Sequence, residues 1–234
     1  DRASRPPRAR RAGEYREAAQ SLRTLGALAV ARGSLDDGIS LYESCVAELR
    51  SLGQALDLAT TLTSLAELYD DARRWDKSDT AFDEAMSVAS ALGEPARVLD
   101  AELRQAELLA RRGDVDRAQD RCDRAVDTAR RIRDPRATAA AARVAAMIAR
   151  ERGDLASAEE RLTAAEAALR DRDDPILGAE IAAERAELYH RQDRHRETII
   201  ALNRAYRVLS QLKGAGAVAE EPECVPKKRP RAAL

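Results

Sequence analysis

Aromatic residues are scarce: one Trp, one Phe and five Tyr make up 3% of 234 residues. A core built from large rings is excluded, and Ala and Leu must supply it. Runs of β-branched residues and strict apolar–polar alternation are absent, which argues against strands. No stretch approaches the ~18 apolar residues of a membrane-spanning helix, and no signal-peptide pattern is visible. The chain opens on Asp1 rather than Met, so an upstream start is expected. Three cysteines, Cys45, Cys122 and Cys224, do not form a disulfide framework and fit a reducing, cytoplasmic compartment. His190 and His195 are the only histidines and stand five apart, which is not the i, i+4 pair of a helical zinc site. Lys213-Gly214-Ala215-Gly216 lacks the third glycine and the preceding strand of a phosphate loop. No acid–base couple and no Cys–His pair stands out. The expectation is a chain that is not an enzyme and takes no cofactor and no metal.

Charge is abundant but nearly balanced: 40 Lys and Arg against 41 Asp and Glu, a net −1. The ends differ from the middle. Residues 1–13 carry +4 and residues 222–234 carry +3, leaving −8 between them. An acidic body with basic ends is not the footprint of a specific nucleic-acid binder. Lysine is confined to Lys77, Lys213, Lys227 and Lys228, and the excess of Arg and Ala suits a GC-rich bacterial genome.

What organises the chain is the stretch Ala106 to Ala118, which reads as a helix end, a tight turn at Gly113-Asp114 and a new helix. It recurs every 40 residues. One small position runs Gly26, Ala66, Ala106, Ala146, Ala186, and another Cys45, Ala85, Ala125, Ala165, Ala205. Bulky positions run Leu35, Trp75, Val115, Leu155, His195 and Tyr42, Phe82, Cys122, Leu162, Leu202. Small residues let two antiparallel helices approach, and bulky ones fill the space between neighbours. Gly at the turn takes positive φ without strain, and Asp caps the next helix. Pro95, Pro135 and Pro175 recur at the same period, each behind an acidic residue that suits a helix start.

These residues resemble the tetratricopeptide repeat (TPR) family. The first unit supplies Leu25-Gly26, Gly33, Leu35, Gly38, Tyr42 and Cys45, and the second Leu65-Ala66, Tyr69, Trp75, Ser78, Phe82 and Ala85. The family's usual period is about 34 residues, so each helix is expected to be longer by roughly one turn at the end away from the Gly-Asp turn. The two-helix HEAT class shares this repeat length, but the order of small and bulky positions follows TPR. The resemblance implies an all-α fold, a right-handed α-solenoid of five antiparallel helix pairs. The repeats are expected at 13–52, 53–92, 93–132, 133–172 and 173–212. Residues 1–12 are expected to be a disordered basic segment and 213–234 a disordered tail.

In such arrays the first helix of each pair lines a concave groove for peptides or helices, which implies a protein-binding scaffold. Carried over by register, the groove residues are Arg23, Glu67, Asp70, Arg104, Glu107, Arg111, Arg143, Met147, Arg150, Glu187 and His190. Ala27 and Ser64 stand where the family's carboxylate clamps place Asn, and Glu67 repels a carboxylate, so a clamp for chaperone tails is not expected. The last helix carries Ile199, Tyr206, Leu209 and Leu212 with no capping helix after it. It is expected to pack on a second copy, as a homodimer, or on a further C-terminal domain of a larger bacterial signalling protein.

Overall fold

The computed structural model describes the backbone of residues 7–170 and 174–217 and the side chains of 17–170 and 174–211. Among these residues there are ten α-helices and no strand. They are α1 (Pro7–Ala31), α2 (Leu35–Ser51), α3 (Ala55–Asp71), α4 (Trp75–Ala91), α5 (Pro95–Arg111), α6 (Val115–Ile132), α7 (Pro135–Glu151), α8 (Leu155–Ala168), α9 (Pro175–Arg191) and α10 (His195–Ala217). The chain forms two compact units, Asp1–Asp173 and Asp174–Leu234.

In the first unit each odd helix packs on the even helix that follows: α1 on α2, α3 on α4, α5 on α6 and α7 on α8. The pairs then stack, α2 on α3, α4 on α5 and α6 on α7, while α3 touches α5 and α5 touches α7. The small register positions do what their size allows. Ala66, Ala106, Ala85 and Ala125 are at most 1% exposed. A Cβ on Gly26 would fall 2.7 Å from the Tyr42 ring, so only glycine fits at that crossing as it stands. The second unit is the pair α9 and α10, joined through Ala179, Ala182, Ala205 and Val208.

Positive φ marks the turns, whatever residue stands there. Gly113 and Gly153 have φ of 84° and 83°, and Arg73 and Asp193 take 57° and 56° at the same register. Capping is less regular than the sequence suggests. Asp134, Asp154 and Asp174 accept from Arg136 N, Ser157 N and Leu177 N. Asp114 makes no cap and turns to Arg117 at 3.3 Å, and Glu94 makes no cap either.

Two boundaries differ from expectation. The backbone of residues 7–12 belongs to α1 rather than to an irregular leader. Lys213-Gly214-Ala215-Gly216 does not break α10, which continues to Ala217. Pro7 opens α1, where its missing N–H goes unneeded, and a helix end tolerates glycine at a cost of only about 1 kcal/mol per residue. Residues 1–6 and 218–234, parts of the expected leader and tail, lie outside the described residues.

Candidate functional site

The first helices α1, α3 and α5 bring their turn-proximal ends together around an open cleft of about 410 Å³. Ala27 and Val30 come from α1, Ser64, Glu67, Leu68 and Asp71 from α3, and Leu108 and Arg111 from α5, with Tyr42 of α2 behind them. Its surface is more polar than apolar, with Ser64, Glu67, Asp71 and Arg111 set among Ala27, Val30, Leu68 and Leu108. Glu67 and Arg111, both expected at a groove, are in this lining.

The other charges expected there are largely tied to one another. Arg104 of α5 donates to Glu67 of α3 at 2.6 Å and to Asp100 at 3.1 Å. Burial pulls the Arg104 guanidinium down, but Asp100 and Glu67 outweigh it and hold it above its ordinary value. Arg143 of α7 donates to Glu107 of α5, which also lies 3.4 Å from Arg111. Asp70 accepts from Arg112. These pairs form a ladder across successive first helices, so much of the face's charge holds α3, α5 and α7 in place. Arg111 is the cation left most open, its side chain 65% exposed.

Three expected groove residues sit elsewhere in the first unit. Arg23 lines a small hollow with Gln20, Cys45, Asp57 and Thr61. Met147 and Arg150 are buried, and Arg150 donates to Glu151 at 2.6 Å. Glu187 and His190 lie exposed on α9 in the second unit. On α10, Ile199, Tyr206 and Leu209 are exposed, as are Ile200 and Leu202. The side chain of Leu212 lies outside the described residues.

Nucleophile and metal chemistry find little footing. Burial pushes the Cys122 thiol up to about 12, and burial also raises Cys45, whose Sγ donates to Ala19 O at 3.2 Å. A buried thiol held protonated is a packing group. Among the described residues no three His, Cys, Asp or Glu side chains gather as a metal site. No described helix is long and apolar enough to cross a membrane.

Sequence reasoning missed two features. One is the hub at Arg112, which joins Asp70, Asp79 and Ser78 and lies 5.8 Å from the Trp75 ring centroid. The other is a second cleft of about 390 Å³ between α2 and α4, floored by Leu62, Leu65 and Tyr69. Its signal was in the register: Ala81 stands where Arg121 and Arg161 stand in the later units.

Known proteins place this architecture. A family model described as tetratricopeptide repeat matches residues 97–171. The fold is similar to BtubC (BKLC) from P. vanneervenii, at 16% identity and a TM-score of 0.60 over 98% of each chain. It is similar to a Rap protein complexed with Competence and Sporulation Factor, at 16% identity and a TM-score of 0.67, over 84% of this chain and 55% of that one. A putative kinesin light chain from Podosopora anserina with nearly identical TPR-like repeats gives 15% identity and a TM-score of 0.58, over 82% and 95%. At these identities the likeness is one of fold. No curated protein matches the chain in sequence. The matched segment and the shared fold together support the tetratricopeptide repeat family.

Proposed function

We propose that the chain is a non-catalytic scaffold of five 40-residue TPR-type repeats that holds a peptide or helix of a protein partner against its first helices. The observation that carries this reading is the cleft across α1, α3 and α5, apolar at Val30, Leu68 and Leu108 and polar at Ser64, Asp71 and Arg111. The exposed Arg111 cation on one side and Asp71 on the other give it a polarity that orients a bound segment. A Rap protein of similar fold was solved with Competence and Sporulation Factor, which is in keeping with such a role. The same reading makes the chain the cytoplasmic regulatory part of a larger bacterial signalling protein.

The test is a random peptide library selected on the full chain. Peptides that bind are expected to lose at least about tenfold in affinity, about 1.4 kcal/mol, on Arg111→Glu and on Ala27→Arg. They are expected to be indifferent to Arg124→Glu. Selected peptides that ignore both cleft substitutions overturn the reading.

A second reading, self-association through α10, is favoured by one observation. Ile199, Leu202, Tyr206 and Leu209 are 59%, 51%, 71% and 47% exposed, whereas their register equivalents Ile39, Tyr42, Val46 and Leu49 are at most 8% exposed. Light scattering decides it: a dimer dissociated by Leu209→Glu supports this reading, and a strict monomer at high micromolar concentration sinks it.

A further inference from the structure

The space between successive second helices is filled in one place and open in the next. Between α4 and α6 it holds Arg121, whose guanidinium donates to Asp83 Oδ1 at 2.5 Å and lies 3.8 Å from Met86 Sδ. Its side chain is 20% exposed. Forty residues earlier, between α2 and α4, the same position is Ala81. The anion persists, because Asp83 corresponds to Glu43, and the apolar wall persists, because Met86 corresponds to Val46. The cationic side chain is missing, and the floor beneath it is Leu62, Leu65 and Tyr69 in place of Glu102, Gln105 and Leu109. The cleft of about 390 Å³ is the room that side chain leaves.

The lining suits a cation on an apolar stem. Val46, Leu62, Leu65 and Ala81 are at most 6% exposed and make an apolar wall. At the polar end the Tyr69 hydroxyl donates to Glu43 Oε1 at 2.5 Å. Lys77 already leans over this end from the rim, 3.7 Å from the same oxygen and 5.2 Å from the ring centroid. The carboxylate and the ring face thus attract a cation together. Around the opening, Glu43, Asp76 and Glu84 outnumber Arg50 and Lys77. An apolar occupant would cover Glu43 with only the rim ammonium of Lys77, 3.7 Å away, as countercharge, at a desolvation cost.

We propose that this cleft is a binding site for an arginine side chain of a partner polypeptide, seated where Arg121 sits in the following interval. Guanidinium suits it better than ammonium, being planar, weakly hydrated and able to lie flat on Tyr69 while its stem covers Leu62 and Leu65. A polypeptide suits it better than the free amino acid, whose α-carboxylate would meet the acidic rim. The site is separate from the peptide-binding face proposed above. Leu62, Leu65 and Tyr69 lie on one side of α3, and Ser64, Glu67 and Asp71 on the other, by the helical period.

The experiment is amide NMR on the full chain, titrated with N-acetyl-arginine N-methylamide, its uncharged citrulline analogue and free arginine. The capped arginine is expected to shift the signals of Glu43, Tyr69 and Ala81 in a saturable way, with the citrulline compound and free arginine needing at least about tenfold more. Glu43→Gln is expected to weaken binding about tenfold and Lys77→Ala to tighten it severalfold, by removing a competing cation. Ala81→Arg should abolish it by filling the cleft in cis. Should that variant fail to fold, the surface change Glu43→Gln decides alone. Absence of shifts at about 20 mM capped arginine, enough to reveal millimolar binding, overturns the proposal. So does an equal response to the citrulline analogue, or to free arginine, or binding indifferent to Glu43→Gln.

Discussion

Between α2 and α4 the floor residues of α3 are Leu62, Leu65 and Tyr69; between α4 and α6 the matching residues of α5 are Glu102, Gln105 and Leu109. All six are buried. The first region relies on apolar area and close approach, down to Gly26 against the Tyr42 ring. It leaves its outer gap open. The second fills its gap with Arg121 and wires its interior with hydrogen bonds, Gln105 to Asp79 at 3.4 Å and Arg112 to Ser78 at 3.0 Å. That wiring is incomplete, since Glu102 Oε2 and Gln105 Oε1 have no hydrogen-bond partner. One backbone register therefore accepts two interior chemistries with opposite weaknesses. The apolar region is sensitive to shape, and the polar region to the loss of a partner.

The largest effect is expected where the polar region is most dependent on one residue. The side chain of Arg112 is 10% exposed and faces Asp70 and Asp79, 15% and 22% exposed. Arg112→Leu leaves Asp70 poorly solvated and without its guanidinium, and leaves Asp79 with only the Arg117 guanidinium, at about 3 kcal/mol. Urea denaturation measures it, and a loss below about 1 kcal/mol would show that water takes over the hub. The apolar region breaks differently. Gly26→Ala gains about 1 kcal/mol of helix propensity but forces a methyl into Tyr42, for a net loss of about 1–2 kcal/mol. Adding Tyr42→Leu, the residue type at the matching positions 162 and 202, should restore most of it. No such rescue is expected for Arg112→Leu.

This contrast marks what the sequence could reveal. Packing positions recur because two helices can approach only at small side chains, so helix order and the turns at Gly113 and Gly153 were legible. Arg73 and Asp193 adopt the same positive φ as those glycines without any residue-type signal. Helix faces were legible too, which is why Glu67 and Arg111 fall at the first cleft. Pairing was not. Arg104 reaches back 37 residues to Glu67 and Arg143 36 residues to Glu107, offsets set by how neighbouring first helices slide and tilt. The period of 40 alone does not contain them. Arg23 lines the hollow beside Cys45 instead of the groove, and Met147 and Arg150 are buried, which residue type and register did not show.

The next effect is smaller and depends on pH. Burial raises the Glu102 carboxyl above its ordinary 4.5, and a Thr128 hydrogen bond and Arg121 pull it back only in part. The unfolded chain releases this proton first. The group's favourable contribution is thus complete below 4.5 and is lost as pH rises through the folded value. Glu102→Gln should stabilise the fold at neutral pH by about 1 kcal/mol and change little at pH near 4. Asp79 runs the opposite way. Burial raises it, but Arg117, Gln105 and Arg112 outweigh burial and leave it below 3.8. Its contribution is present above 3.8 and fades as pH falls through the folded value, so Asp79→Asn should remove part of the acid sensitivity. Thermal unfolding of both variants from acid to neutral pH checks the two signs. Matching pH profiles for wild type and Glu102→Gln would show that water reaches Glu102.

The smallest effect separates stability from binding. Arg50 and Glu84 join at 2.6 Å across the opening of the α2–α4 cleft, with side chains 55% and 36% exposed. An exposed pair of this kind contributes about 0.5 kcal/mol or less and is screened by salt. Arg50→Ala is therefore expected to leave the unfolding midpoint almost unchanged. It also removes one of the two rim cations and frees Glu84, so the capped arginine should bind severalfold more tightly, and the gain should shrink as salt is added. The matching test in the polar region gives the reverse. Asp83→Ala removes the anion of the Arg121 guanidinium, which also lies 3.8 Å from Met86 Sδ, and should lower stability by about 1 kcal/mol without creating an arginine site, since Arg121 still occupies the gap. If Arg50→Ala lowered stability as much as Asp83→Ala, the lip pair would be a structural brace like the Arg121 contact, and the two intervals would differ in content but not in kind.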